Sequence, residues 1–397
     1  MVCLRITEVN AVSLERYFIP SHWGRLLVRV KTDEGFAGYG ESGEDSRWGV
    51  GEALIRNWAE QHIVGSDPLE TRKILCRIWF AMKHFGRNGI TMGTLSALDF
   101  ALLDLKGKIL GVPVYELLGG KYRDRIRVYC DTGRPRGDDP ESHVAVTREA
   151  LKAGFDALKF DLDIGFEGRE ARGWEPYNEQ LRNDELRWMV AVTDAVRNAV
   201  GENVELMVDL HGSYNTASAV KIAKALEPYN LTWLEEPVPA ENVDAMREVK
   251  QSTSTPICAG ENLYSAWGFK DLLEKQAVSV VEPDVNKCGG ILEAQKVAGM
   301  AALQYIPVAP HNTSTPVGTL AACHLCAAIP NFLSLEWHGS TVHADDPRYA
   351  PWEKLIEWDG PIIKDGYVTL PKKPGLGFEL NEEACLEASP KAEALFR

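Results

Sequence analysis

No apolar run in the 397 residues approaches the roughly 18 that a membrane-spanning helix needs, and no low-complexity stretch or linker interrupts the chain. Cations are scarce: 43 Lys and Arg stand against 57 Asp and Glu, a net charge of −14. So acidic a surface repels phosphate backbones and anionic lipid, which argues against nucleic acid or a membrane as the main partner. An anionic substrate would need local help from a metal or a few placed cations. Eight cysteines are scattered from Cys3 to Cys385 without a paired framework, which speaks for a reducing cytoplasm rather than a disulfide scaffold. The opening Met1-Val-Cys-Leu-Arg5 carries charge too early for a secretory h-region. The composition, 45% hydrophobic and 25% charged, is that of an ordinary soluble globular protein with two or more domains and a large core. The expectation is a soluble cytoplasmic protein.

The first 125 or so residues alternate polar and apolar over 5–16 and 26–31, with a hairpin turn at Thr32-Asp-Glu-Gly35. Helical patterns follow, the clearest from Thr94 to Ile109 with Leu95, Leu98, Leu102 and Leu105 on one stripe, stopped by Gly111 and Pro113. This predicts a small α+β domain over 1–125. Beyond it, eight short apolar strands alternate with amphipathic helices: Ile126–Cys130, Ala157–Asp161, Glu205–Asp209, Thr232–Glu235, Pro256–Glu261, Ser279–Asp284, Ile306–His311 and Phe332–Glu336. Repeated βα units of this length predict an α/β fold, a (β/α)8-type barrel over 126–370, with a C-terminal segment over 371–397 that packs back on the first domain.

Several predicted strands end in an ionisable residue: Asp161, Asp209, Glu235, Glu261, Asp284, His311 and Glu336. The steps from 209 to 235 and from 235 to 261 are 26 residues each, one βα unit. Acids at the carboxyl ends of consecutive barrel strands converge on one mouth, where such enzymes keep their sites. Crowded there, they repel unless a cation sits between them, and hard oxygen donors favour Mg²⁺. The alternative role for any one of these acids is to cap the helix that follows.

The order and spacing of Leu118-Gly-Gly-Lys-Tyr-Arg123, Lys159-Phe-Asp161, Asp209-Leu-His211, Glu235-Glu-Pro237, Gly260-Glu-Asn262, Pro283-Asp284 with Gly289-Gly290, His311 and Lys373-Pro-Gly-Leu-Gly377 resemble the enolase superfamily in its mandelate racemase-like branch. The resemblance covers nearly the whole chain. It implies a modified (β/α)7β barrel whose α+β cap is completed by the C-terminal segment, and one Mg²⁺ per subunit held by Asp209, Glu235 and Glu261, with Glu236 supporting a ligand. It also implies a homo-oligomer, from dimer to octamer, acting on a small carboxylate by removing the proton beside the carboxyl group. Glu336 is then expected to be protonated and to donate a hydrogen bond to the enediolate. His311, paired with Asp284, is the candidate base, because a carboxylate on one ring nitrogen fixes the tautomer and makes the other more basic.

Family members that racemise or cycloisomerise commonly carry Lys-x-Lys on the second strand, whereas this chain has Lys159-Phe-Asp161. With an acid where the second amine would stand, racemisation loses ground. Lys159 is left to bind the substrate carboxylate or to pair with Asp161, itself a candidate substrate contact. Asp209-Leu-His211 resembles acid-sugar dehydratases of the galactonate, gluconate and mannonate type, in which the added histidine, expected on the strand's inward face, protonates the departing β-hydroxyl. The implied activity is dehydration of an aldonate or aldarate to a 2-keto-3-deoxy acid. Alternatives are a racemase, epimerase or cycloisomerase and, from another class, a catalytically idle binding module. Substrate selection is expected from His22, Arg25, Arg47 and Trp48 in loops of the first domain, Trp174 in the 165–182 insertion, and His338, since aromatic faces and arginines suit a polyhydroxylated anion.

Two further strings are set aside. Gly38-Tyr-Gly-Glu-Ser-Gly43 follows a hairpin strand, not the βαβ unit of a dinucleotide site. Cys323-His-Leu-Cys326 has no second cysteine pair to make a zinc site.

Overall fold

The computed structural model describes residues 4–19, 23–43, 49–84, 86–133, 135, 139–163, 181–338 and 352–397. Strands Ile6–Ile19, Trp23–Thr32 and Ala37–Ser42 form an antiparallel sheet in sequence order. The turn between the last two closes with Thr32 N–H on Phe36 O at 2.9 Å, and Gly35 takes a φ of 86°. Helix Ile90–Leu110 packs across this sheet. The glycines of the G-x-G string explain how closely: a Cβ on Gly38 would stand 2.2 Å from Ala101 O, and one on Gly40 2.0 Å from Ala97 O. They are packing glycines. The helix is buried over most of its circumference rather than along one stripe, because the barrel covers its far side.

The barrel has eight staves. Arg125–Asp131, Ala157–Asp161, Glu205–Asp209, Trp233–Glu235, Ile257–Ala259 and Val280–Val281 pair in parallel in that order. The seventh stave is a single bridge at Val308 between Val281 and Phe332. The eighth, Leu335–His338, pairs with Val128–Asp131 and closes the ring. Seven helices alternate with them among the described residues, from Pro140–Lys152 to Pro316–Ala328, which makes the (β/α)7β architecture.

The later staves are shorter than predicted. Gly260, at φ 139°, turns the chain after Ala259. Pro283 and Pro310, which lack an N–H, stand just beyond Val281 and Val308 and cannot extend the ladder. Glu261, Asp284 and His311 therefore stand on loops above the strand ends.

The hairpin Ile363–Lys364 and Tyr367–Thr369, which the sequence pattern did not announce, pairs antiparallel with Arg125–Arg127 and extends the first stave. The C-terminal Glu382–Ala388 helix and the turn after it lie against the first strand. There Arg29 Nη1 donates to the carbonyls of Leu395 and Arg397, at 3.0 and 2.6 Å, and Asn10 Nδ2 donates to Ala394 O at 2.8 Å. Inside the barrel, Tyr129, Met207, Trp233, Cys258, Val280 and Ala309 form an apolar plug beneath the mouth. Among the described residues no helix is long and apolar enough to cross a membrane.

Candidate active site at the barrel mouth

Strand register brings the acids together. Asp161 stands opposite Asp209, and Asp209 opposite Glu235, so the last residues of staves two, three and four form a row of carboxyl groups. Lys159, one layer lower, points its ammonium up into that row. It lies 3.1 Å from Asp209 Oδ2, against Glu235 Oε1, and 2.8 Å from Glu336 Oε1. Trp233 Nε1 donates to the other oxygen of Glu235 at 2.8 Å. Lys159 is thus held by three acids of the mouth rather than by Asp161. Asp161 is 6% exposed, its Oδ1 has no hydrogen-bond partner, and burial with the Asp131 and Asp209 charges pushes its carboxyl well above the usual range.

Across the mouth, Asp284 Oδ2 lies 2.8 Å from His311 Nδ1, while Asn286 N–H donates to Asp284 Oδ1 at 2.7 Å. The other ring nitrogen is 2.6 Å from Glu261 Oε2 and 3.7 Å from Glu336 Oε2. Burial works against a charged His311, yet Glu261 and Glu336 outweigh it and hold the imidazole well above its ordinary value. Glu261 is in turn fixed by Asn262 Nδ2 at 2.8 Å, and the same amide donates to Glu236 Oε2 at 2.7 Å. Burial pushes the Glu236 carboxyl up to about 7.

Asp209, Glu235 and Glu261 do not meet in a single tight set. Lys159 draws the first two and His311 the third. Among the described residues, the trios whose ligand atoms lie within 4.8 Å of one another are Asp161, Asp209 and His211, and Glu235, Cys258 and Glu282. Acidic groups that could hold a metal are therefore present at the mouth.

Glu336 stays at the mouth, with Oε1 2.8 Å from the Lys159 ammonium and Oε2 accepting Asn312 N–H at 2.8 Å. The expectation for His211 changes. His211 does not share the inward face of stave three, because that strand ends at Asp209 and His211 takes a left-handed φ of 44°. The turn returns its 39%-exposed ring over the mouth, with Nδ1 2.8 Å from Asp163 Oδ1 and Nε2 3.6 Å from Asp209 Oδ2. Burial opposes its charge, but Asp209 and Asp163 prevail and raise it well above the ordinary value.

The substrate-reading candidates fare unevenly. His22, Arg47, Trp48 and Trp174 lie outside the described residues. Arg25 is 0% exposed and turned into the protein: Nε is 3.3 Å from Glu41 Oε1, Nη1 donates to Gly43 O at 2.9 Å, and Nη2 to Thr313 O. It is placed to hold the loop after His311 rather than to face the mouth. His338 Nε2 is 3.5 Å from Asp131 Oδ2, beside the row. The C-x-x-C cysteines are buried, and burial pushes the Cys323 thiol well above its ordinary value.

Sequence reasoning missed Asp163, Asn262, Glu282 and Asn312. A signal existed for Asp163: staves two and three run on as Asp161-x-Asp163 and Asp209-x-His211, and Asp161 pairs with Asp209, so the two residues beyond were candidates to meet. Asn262 stood in the Gly260-Glu-Asn262 string without a role assigned to it, and Asn312 and Glu282 carried no such mark.

Residues 23–119 match the family described as mandelate racemase / muconate lactonizing enzyme, N-terminal domain, and residues 143–384 the enolase C-terminal domain-like family. The chain is 38% identical over 396 residues to a D-xylonate dehydratase of Haloferax volcanii, covering 98% of this chain and 92% of the relative. It is 32% identical to a D-galactonate dehydratase of Pectobacterium atrosepticum, covering 98% and 95%. Among solved structures, a mandelate racemase/muconate lactonizing enzyme-like protein from Rubrobacter xylanophilus is similar with a TM-score of 0.88 and 40% identity, over 97% of this chain and 98% of that one. An enolase superfamily member from Salmonella Typhimurium gives 0.85 and 30%, over 96% and 97%.

Proposed function

Because the chain belongs to the mandelate racemase/muconate lactonizing enzyme group of the enolase superfamily, we propose that it is a Mg²⁺-dependent sugar-acid dehydratase, removing the C2 proton and the C3 hydroxyl to give a 2-keto-3-deoxy acid. The names of the relatives, D-xylonate and D-galactonate dehydratase, support an aldonate as substrate. The seven described cysteines are free thiols, which supports a reducing cytoplasm.

The single observation that carries the reading is the placement of two acid-held imidazoles four staves apart in an eight-stave ring. His211 follows stave three and His311 follows stave seven, and both face the carboxylates between them. Dehydration makes two demands, a base for a weakly acidic C–H and an acid for a poor leaving group. His311 takes the C2 proton, and Asp284 fixes its tautomer so that Nε2 faces the substrate. His211 gives its proton to the departing C3 oxygen. Lys159 orients the substrate carboxylate, and Glu336, held by Asn312 N–H, lines the pocket beside it.

The donors at the mouth fit a hard divalent cation. Asp209, Glu235 and Glu261 are buried oxygen donors, and the lysines and imidazoles nearby are fewer than the buried acids around them. A Mg²⁺ held by these three would offset the charge that builds on the substrate carboxylate as the C2 proton leaves.

The test is a panel of aldonates and aldarates incubated with the protein and Mg²⁺, read for 2-keto-3-deoxy acid. Keto acid that stops forming on chelation is expected. A C2-inverted acid without keto acid would make the protein an epimerase, and absence of both would leave a binding module.

A further inference from the structure

Asp163 is buried, 6% exposed, and stands two residues beyond the row of carboxylates. Its Oδ1 lies 2.8 Å from His211 Nδ1, and its Oδ2 accepts from Ser213 Oγ at 2.7 Å. The turn that carries His211 is fixed from its backbone as well. His211 N–H donates to Asp209 Oδ1 at 2.8 Å, Gly212 N–H to Glu236 O at 2.7 Å, and Ser213 N–H to Leu210 O at 2.8 Å. A histidine at φ 44° is unusual, and such conformations persist where the surroundings over-determine them, often at functional sites.

The arrangement repeats that of Asp284 and His311. In each pair a buried aspartate takes the ring's Nδ1 with one oxygen, while its other oxygen is anchored by a neighbouring donor, Ser213 Oγ in one case and Asn286 N–H in the other. In each, Nε2 is left on the side of the mouth carboxylates. Two copies of one device stand on opposite sides of the barrel, where a single base would need only one.

We infer that Asp163, anchored by Ser213, is a positioning residue that aims His211 Nε2 at the substrate's C3 hydroxyl, so that elimination depends on it and C2 proton removal does not. The inference rests on the dehydratase reading. In the reaction the C2 proton goes to His311, the C–H pair becomes the C2=C3 double bond, and the C3–O pair leaves on oxygen. That oxygen takes its proton from His211 and departs as water. The enol then tautomerises to the 2-keto-3-deoxy acid, so no oxidant or reductant is needed.

The test uses the full chain with Mg²⁺ in deuterated water and a sugar acid that the wild type dehydrates. Product formation and deuterium at C2 of recovered substrate are measured together. Asp163→Asn should lower product formation by the order of 10²-fold, near the small end for a lost general acid, while C2 exchange persists, so the ratio of exchange to product rises. Ser213→Ala should move the same ratio in the same direction by a smaller factor, and it removes only one hydroxyl if Asp163→Asn fails to fold. A merely structural Asp163 would lower both rates together and leave the ratio unchanged, which overturns the inference; wild-type rates in both variants overturn it too. A wild type that forms no keto acid from any sugar acid would instead overturn the dehydratase reading, and the inference with it.

Discussion

At the seam between the N-terminal sheet and the barrel, buried acids are met by backbone amides. Glu41 accepts from Thr315 N–H at 3.0 Å and Gly318 N–H at 2.9 Å, at the start of helix Pro316–Ala328, with Arg25 3.3 Å away. Asp99 accepts from Ile291 N–H at 2.6 Å, at the start of helix Ile291–Leu303. Asp104 takes Tyr39 N–H at 2.9 Å, Leu376 N–H at 2.7 Å and the Lys108 ammonium at 3.0 Å. At the barrel mouth backbone amides reach some of the acids too, but the carboxylates also crowd one another. Asp161, Asp209 and Glu235 stand in register with Lys159 among them, and neither oxygen of buried Glu282 has a hydrogen-bond partner. Helix amino ends offer amides with no intrahelical partner and a favourable dipole, so the seam acids join one domain to the other. The mouth acids leave negative charge unspent, which suits a cation and a reaction.

That contrast is broken most severely at Glu235. Glu235→Gln should abolish dehydration and weaken Mg²⁺ binding, while the melting temperature in the absence of metal stays near that of the wild type, because the change relieves one like-charge contact. Rates with and without Mg²⁺, beside thermal melting, check both halves. Asp284→Asn acts on the same side of the comparison. C2 deuterium exchange should fall about 10²–10⁴-fold, with the Mg²⁺-induced rise in melting temperature retained.

The seam should answer in the opposite sense. Glu41→Gln removes the charge of a buried carboxylate that pairs with Arg25 and accepts from Thr315 N–H and Gly318 N–H, and breaking a buried ion pair typically costs about 3–5 kcal/mol. Thermal melting should show a clear loss of stability, and activity per folded molecule should change far less than in Glu235→Gln.

A finer test uses pH. Burial pushes His324 down to about 4, while its ring accepts Tyr115 N–H at 3.2 Å and lies 3.1 Å from Leu376 O. An unfolded histidine protonates near pH 6.5, so stability is lost as pH falls from about 6.5 to 4, by up to roughly 3 kcal/mol. Asp99 runs the other way. Burial raises its carboxyl to about 7 against the pull of the Leu292 and Ile291 amides, so the folded state takes up the proton first. Stability then rises as pH falls from about 7 to 4, by up to roughly 4 kcal/mol. The two contributions oppose each other across that window. Between pH 7.5 and 5, Asp99→Asn should lose more stability than the wild type, and His324→Gln should lose less or gain. Melting curves at the two pH values decide it.

The barrel was legible because eight apolar strands recur at βα spacing and because strand ends carry acids at fixed steps. Pairing register then does what spacing alone could suggest, placing Asp161, Asp209 and Glu235 side by side. What the sequence did not reveal depends on loops and on contacts far apart in the chain. The left-handed turn at His211 is a backbone choice that no residue pattern announced. Arg25 carries a charge suited to substrate, yet it is buried against Glu41 and the loop after His311, residues 16 and some 288 positions away. Nor did spacing show that Lys159, two staves from Glu336 in the ring, reaches its carboxylate.

The central claim is that the mouth removes a proton from C2 and hydroxide from C3 of a sugar acid, with a divalent cation required. It is tested most directly by running the reaction in deuterated water and analysing the product by NMR. The expected product is a 2-keto-3-deoxy acid with one deuterium at C3, formed with Mg²⁺ and not with chelator. Recovery of a C2-inverted acid with no keto acid, or keto acid formed at an undiminished rate under chelation, would contradict it.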